Sequence, residues 1–477
     1  MKHTLARELL QHTVKSMDLE ALVDNVFPAS PEDLSAAKTT HTLTDFRFLS
    51  GTTPYRDERK SYQPLKTDLN RVLNHVRRSL PLATVVPDSL CFDVYDRTML
   101  DKHSSFRGLQ PDLVAHCKSA LTKDTHLLWR DVLLPVEVKS EWPDLRAQAH
   151  TYARCIWATQ PRLVVCVLMF NHEKLDWSLG VYNRAHYFEA EAMPLRKEKS
   201  IEILARVLRG IVAATSSAQV GFDPTSTGRD YDLSPCGHWR LEGQICARRG
   251  LIGRHTQVFI VRRLDTQQGV VAITETPVTE STEAPPQTER RSNRLLRKDS
   301  STQSGNGHPV PQSLPSSLPP SMRKKQGASL DGDDVTSAKH KEISSLDQFG
   351  MPFAYTLSPP SSSLLPPEVQ RAIMKTAWQP IARWDIEKKL FEDVKQISER
   401  PFGLPITLDS DVVGRIHSSM RTMTSDGHDD SIRVPVRTLI LTSGQPLQKA
   451  SGPRVLATAV VHAMIGMSVY IIRWSSS

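Results

Sequence analysis

Residues 266–365 limit what the rest of this chain can become. The stretch is dominated by Ser, Thr, Pro, Gln and charged residues, with SSLPPS and LSPPSSSLLPP in its later part. Ordering a residue costs roughly 1–2 kcal/mol of backbone entropy, and so few apolar side chains cannot offset that by burial. The segment is therefore expected to be disordered, and any fold must be assembled from residues 1–265 and 366–477. The totals agree. Over 477 residues there are 32 prolines and only 39% hydrophobic positions, which argues against a single compact globule but leaves room for two or three domains with proper cores.

Before that stretch the pattern is helical at first and then mixed. MKHTLARELLQHTVKSMDLEALV reads as an amphipathic helix broken by charges, unlike a secretory signal, which makes the cytoplasm or nucleus the expected location. YQPLKTDLNRVLNHVRRSL, at 62–80, repeats apolar positions at helical spacing. From about 90 to 185, CFDVYD, PDLVAHC, DVLLPVEVK, RLVVCVLMF and LDWSLGVYN read as strands, with helices expected at 143–159 and 197–215. The six cysteines are scattered without a CxxC, so spacing suggests neither a zinc site nor a disulfide framework. The net charge of +8 suits phosphate or nucleic-acid ligands but is too modest to require them. The basic clusters at Arg290–Lys298 and Arg323–Lys325 fall in the stretch expected to be disordered, where solvation is the ordinary role.

One ordered series lies in this first region: Asp112 after Pro111, then Glu137 and Lys139, then Gln148 and Tyr152. Glu137 and Lys139 stand two apart on a strand and so share a face. Gln148 and Tyr152 share a helical face. Asp112 and Glu137 have the chemistry to hold a divalent metal, with Lys139 orienting water or stabilising charge. A solvated charge pair at the end of a strand would have the same sequence. The order resembles the PD-(D/E)xK nuclease core with its QxxxY helix, and implies a metal-dependent nuclease acting on DNA or RNA.

A second series spans the long stretch. HWRLEGQICARRGLIGRHTQVFIVRRL reads as a β-hairpin with Gly250, Gly253 and Arg254 in the turn and Thr256 and Val258 on its return strand. Glycines let backbone amides approach a phosphate closely, although GxxG at a hairpin is often only a turn. After the long stretch, IMKTAWQPIARWDIE reads as a strand carrying Lys375, a turn, and a helix presenting Glu387. Protein kinases place a lysine on the third strand and a glutamate on the next helix in this order, beneath a glycine-rich loop. Gly253-Arg-His-Thr256, Lys375-Thr-Ala-Trp378, Arg383 with Glu387, and Val436-Arg437 leading to Gly444-Gln-Pro-Leu447 resemble the fungal-type protein kinase family. Val220-Gly-Phe-Asp-Pro224 and the block 129–185 resemble its N-terminal region.

That resemblance implies an α+β architecture. Residues 1–60 form a lead-in and 61–232 an α/β domain. Residues 233–265 and 366–477 form a protein-kinase-like small lobe around the insertion, with most of the large lobe absent. It implies ATP held by Gly250, Gly253, Arg254, Thr256, Val258, Lys375 and Glu387, with a protein as phosphoacceptor. Two departures stand beside it. About 110 residues separate hairpin and lysine strand, a length whose closure cost grows only logarithmically. And no HRD or DFG occurs; Arg229-Asp230 lies before the hairpin and cannot substitute. The catalytic aspartate and the magnesium-holding groups of a kinase are then missing. Weak ATP binding without phosphoryl transfer is expected, with Mg2+ required only if an activity is retained. Residues 455–472 form an uncharged apolar run expected to be a buried large-lobe helix, with a tail anchor as the lesser alternative.

Overall fold

The structure, a computed structural model, describes residues 13–28, 30–42, 46–78, 80, 84–95, 99, 109–120, 126–184, 186–234, 236–247, 256–264, 351–353, 369–380, 385–395, 407–412, 433–440, 452–454 and 457. All belong to one compact unit, Met1–Gly269 with Ile343–Ser477; the second unit, Val270–Glu342, lies outside the described residues. The architecture is α+β, built on two sheets.

The first sheet contains β1 (Thr13–Met17), β2 (Leu90–Val94), β3 (Leu113–Cys117), β4 (Leu134–Lys139), β5 (Val165–Asn171), β6 (Asp176–Tyr182), β7 (Tyr187–Ala190) and β8 (Met193–Pro194). Their order is β1-β7-β6-β5-β4-β3-β2, with β8 on β6. Strands β2, β3 and β4 form an antiparallel meander. Helix α4 (Trp142–Thr159) then crosses over to β5, which runs parallel to β4.

Helices cover both faces, so the central strands read as nearly continuous apolar runs. On one face lie α1 (Leu19–Val26), α2 (Pro31–Lys38), α3 (Glu58–Arg77) and α5 (Glu198–Val212). Leu65, Leu69, Val72, Leu73 and Val76 form the buried stripe of α3 and share a core with Val136, Val138, Leu168 and Phe170. On the other face Ala149, Tyr152, Ala153 and Ile156 of α4 pack on Val165, Val167 and Met169. The alternation along β4 sends Val136 and Val138 into the first core, which turns Glu137 and Lys139 the other way.

The second sheet contains β9 (Asp230–Asp232), β10 (His238–Ala247), β11 (Gln257–Arg263), β12 (Arg371–Pro380), β13 (Thr407–Val412) and β14 (Arg433–Ile440), in the order β13-β14-β12-β11-β10-β9. Helix α6 (Ile386–Lys395) sits between β12 and β13 in the chain. The expected hairpin is β10–β11, and β11 pairs directly with the lysine strand despite the long insertion, Phe259 opposite Met374. Trp239, Leu241, Phe259, Val261, Met374 and Leu439 form the core of this sheet.

Two expectations need correction. Residues 13–17 are not helical: they form β1, the edge strand, parallel to β7 with Thr13 opposite Tyr187. Partnering the otherwise open side of β7 outweighs the local helical period. The stretch expected to be disordered contains Phe353, which is 7% exposed and packs edge-on against Phe222 with ring centroids 5.6 Å apart. Apart from Met351–Phe353, residues 266–365 lie outside the described residues, as does 455–472 but for Ala457. Among the described residues no helix is long and apolar enough to cross a membrane.

Candidate functional site

The carboxylate–lysine series meets at one point. Asp112 immediately precedes β3, and its Oδ2 accepts from the Val138 amide at 2.8 Å, joining it to β4. The Lys139 ammonium then touches Asp112 Oδ2 at 3.1 Å, Glu58 Oε1 at 2.8 Å and Glu137 Oε1 at 2.8 Å. It also donates to the Val138 carbonyl at 2.9 Å. Glu137 is 1% exposed. Its Oε2 accepts from the Tyr152 hydroxyl at 2.6 Å, a proton shared with the Gln110 carbonyl at 3.0 Å. The Tyr62 hydroxyl lies against Asp112 Oδ1 at 2.5 Å and against Glu58 Oε1.

Three carboxylates facing one ammonium leave excess negative charge in a poorly solvated place. Burial, with Asp112 second, pushes the Glu137 carboxyl up to about 8. For Lys139 burial works against the charge, but Glu137 and Asp112 outweigh it and hold the ammonium above its ordinary range. Gln148 lies one helical turn before Tyr152 on α4, and its Oε1 is buried with no hydrogen-bond partner among the described residues. Glu58 and Tyr62 were not apparent in the sequence. Glu58 follows the N-cap Asp57, where an acidic residue reads as ordinary helix-end chemistry.

The donor set suits a hard divalent cation, because all three groups are carboxylate oxygens. As they stand, those oxygens converge on Lys139 Nζ. The Glu137 Oε1 contact with Lys139 is a buried ion pair at 2.8 Å.

The second series lies only partly among the described residues. Lys375 is half-buried on β12, directly across from Val258 of β11 and Thr438 of β14. Directly opposed residues share a face, so Val258 and Lys375 lie side by side. Thr256 lies just before β11. Gly250, Gly253, Arg254, Arg383 and Gly444–Leu447 lie outside the described residues. Glu387 occupies the first turn of α6, but its side chain is outside the described set, so its expected pairing with Lys375 lies there too.

Other residues that carried the resemblance hold the fold together. Gly221 has φ +84°, and a Cβ there would lie 2.5 Å from the Val164 carbonyl oxygen. Asp223 Oδ2 meets Arg437 Nη2 at 2.5 Å, with both side chains 6% exposed. Arg437 also donates to Thr225 Oγ1 at 2.6 Å and to Thr376 Oγ1 at 3.3 Å, and its guanidinium lies 4.5 Å from the centre of the Tyr231 ring. Trp378, at the far end of β12, is buried in the first core.

Residues 110–285 match the family model described as "Fungal protein kinase". Over that span the chain is similar to the fungal protein kinases. The fungal-kinase-like segment begins beside Asp112 and takes in Glu137, Lys139, Gln148, Tyr152 and both strands of the glycine hairpin. Lys375 and Glu387 lie beyond it. Neither a curated protein nor a solved structure matches the chain.

Proposed function

We propose that this chain is a fungal protein kinase-like, nucleotide-binding protein that does not transfer phosphoryl groups as it stands. The single observation supporting this is the pairing of β11 with β12, which sets Val258 of the hairpin beside Lys375 across the insertion. Lys375 would meet the α- and β-phosphates of ATP, and the Gly250–Thr256 turn would cover them. No HRD or DFG occurs in the 477 residues. The groups that hold Mg2+ in a kinase are therefore lacking, and affinity is expected to be weak. ATP should raise the melting temperature of the full chain in a dose-dependent way, since only a ligand of the folded state shifts its stability. Lys375→Ala should abolish that shift. An unchanged melting temperature at millimolar ATP, or phosphoryl transfer lost in Lys375→Ala, would each contradict the proposal.

A metal-dependent nuclease is the second reading, favoured by the convergence of Asp112, Glu137 and Glu58 on Lys139. Bound Mg2+ would polarise a phosphodiester and lower the pKa of an attacking water. Asp112 and Glu137 would hold it, Lys139 would stabilise charge at the phosphate, and Tyr152 would fix Glu137. This predicts Mg2+-dependent cleavage of linear DNA or RNA that Glu137→Ala removes. Intact substrates across single-stranded DNA, double-stranded DNA and RNA would dispose of it.

A further inference from the structure

Away from both series, Cys91, Asp93 and His116 come together at the edge of the first sheet. Cys91 and Asp93 are alternate residues of β2 and point to one face. His116 lies on β3, directly opposite Cys91 in the antiparallel register. One ligand atom from each of the three lies within 4.8 Å of the others. Among the described residues it is the one such group.

We propose that Cys91 Sγ, Asp93 Oδ2 and His116 Nε2 form a binding site for a zinc-class divalent ion, with a water as fourth ligand. The first argument is spacing. Tetrahedral zinc with bonds of about 2.3 Å to sulfur and 2.0–2.1 Å to nitrogen and oxygen sets S···O and N···O edges of about 3.6 and 3.3 Å. The observed Cys91 Sγ–Asp93 Oδ2 and His116 Nε2–Asp93 Oδ2 separations are 3.5 Å and 3.1 Å.

The second argument is the histidine tautomer. His116 Nδ1 lies 2.8 Å from the Cys117 carbonyl oxygen. A carbonyl only accepts, so Nδ1 carries the proton. Nε2 then presents a lone pair to a carboxylate oxygen unless a second proton or a cation lies between them. Metal-ligating histidines are commonly held in this way, with the other ring N–H on a carbonyl.

The surroundings fit. Lys66 holds the other Asp93 oxygen at 2.5 Å, leaving Oδ2 for a single bond. The Lys118 and Arg77 cations and the Asp131 carboxylate also act on this cluster. His116 is 1% exposed and the Asp93 side chain 25%, so the fourth position opens toward solvent on the Asp93 side. Burial, with Asp93 second, pushes the Cys91 thiol up to about 11. The thiol would lose its proton to solvent as the metal binds, because a coordinating thiol is deprotonated outright. Nothing is oxidised or reduced.

The test uses the full chain, stripped with chelator and titrated with Co2+ under reducing, anaerobic conditions. A near-ultraviolet thiolate-to-cobalt charge-transfer band should appear, saturate at one equivalent, and vanish on addition of Zn2+. Cys91→Ser and His116→Gln should remove it, and Asp93→Asn, a change at a part-exposed carboxylate, should weaken Co2+ binding at least tenfold. Cys236→Ser, on the other sheet, and Glu137→Ala, in the carboxylate–lysine cluster, should retain it. Absence of the band in the unaltered chain overturns the proposal whatever the variants do. Its persistence in Cys91→Ser at full intensity does the same.

Discussion

Replacing Arg437 by methionine removes one partner of a buried ion pair and leaves the other in place. Asp223 Oδ2 receives Arg437 Nη2 at 2.5 Å in a setting where both side chains are 6% exposed. Removing one partner of such a pair typically costs about 3–5 kcal/mol, because the remaining charge is desolvated and uncompensated. Asp223 Oδ1 still accepts from the Thr225 amide at 2.9 Å and hydroxyl at 2.7 Å. That partial solvation places the expected cost at the lower end, about 3 kcal/mol, or roughly 150-fold in the folded-to-unfolded ratio. Urea unfolding followed by the fluorescence of buried Trp239 and Trp378 measures it. Asp223→Asn added to Arg437→Met should cost less than the sum of the singles, with a coupling of about 1–3 kcal/mol. Additive effects, or a single-variant cost below about 1 kcal/mol, would refute the view that this pair ties the Asp223 loop to β14.

The Glu137 carboxyl, raised from 4.5 to about 8 in the folded chain, holds a proton that the unfolded chain releases. Its contribution to stability is therefore full below about pH 4.5 and falls as pH rises to about 8; Glu137→Gln should flatten that decline in urea midpoints taken across the range. Phe353→Ala should destabilise by about 3 kcal/mol through lost burial against Phe222, seen in the same unfolding assay. Gly221→Ala combines positive φ with a 2.5 Å approach to Val164 O. It should cost at least about 1–3 kcal/mol, read as a lowered melting temperature.

Residues whose role follows a local period were readable in the sequence. The stripe of α3, the apolar runs of β4 to β6 and the same-face placement of Glu137 and Lys139 all follow from spacing of 3.6 or 2. The pairing of β11 with β12 was legible because both strands carry recognisable residues, Val258 on one and Lys375 on the other. What tertiary contact alone decides was hidden. Glu58 and Tyr62 reach the Lys139 cluster from another helix, and their positions look like a helix start. Cys91, Asp93 and His116 are neighbours only across a strand pair, so the absence of a short cysteine motif concealed them. Thr13–Met17 took strand form because β7 offered unpaired backbone, which no local pattern of those residues announces.

That last pairing has a practical consequence for any shortened version of the protein. Without residues 13–17, the amides and carbonyls of Tyr187–Ala190 on that side would have no strand beside them. An uncovered sheet border is a template for another copy of the same chain. An expression product starting after Met17 would be prone to self-association and precipitation, even with every residue of the Lys139 cluster intact.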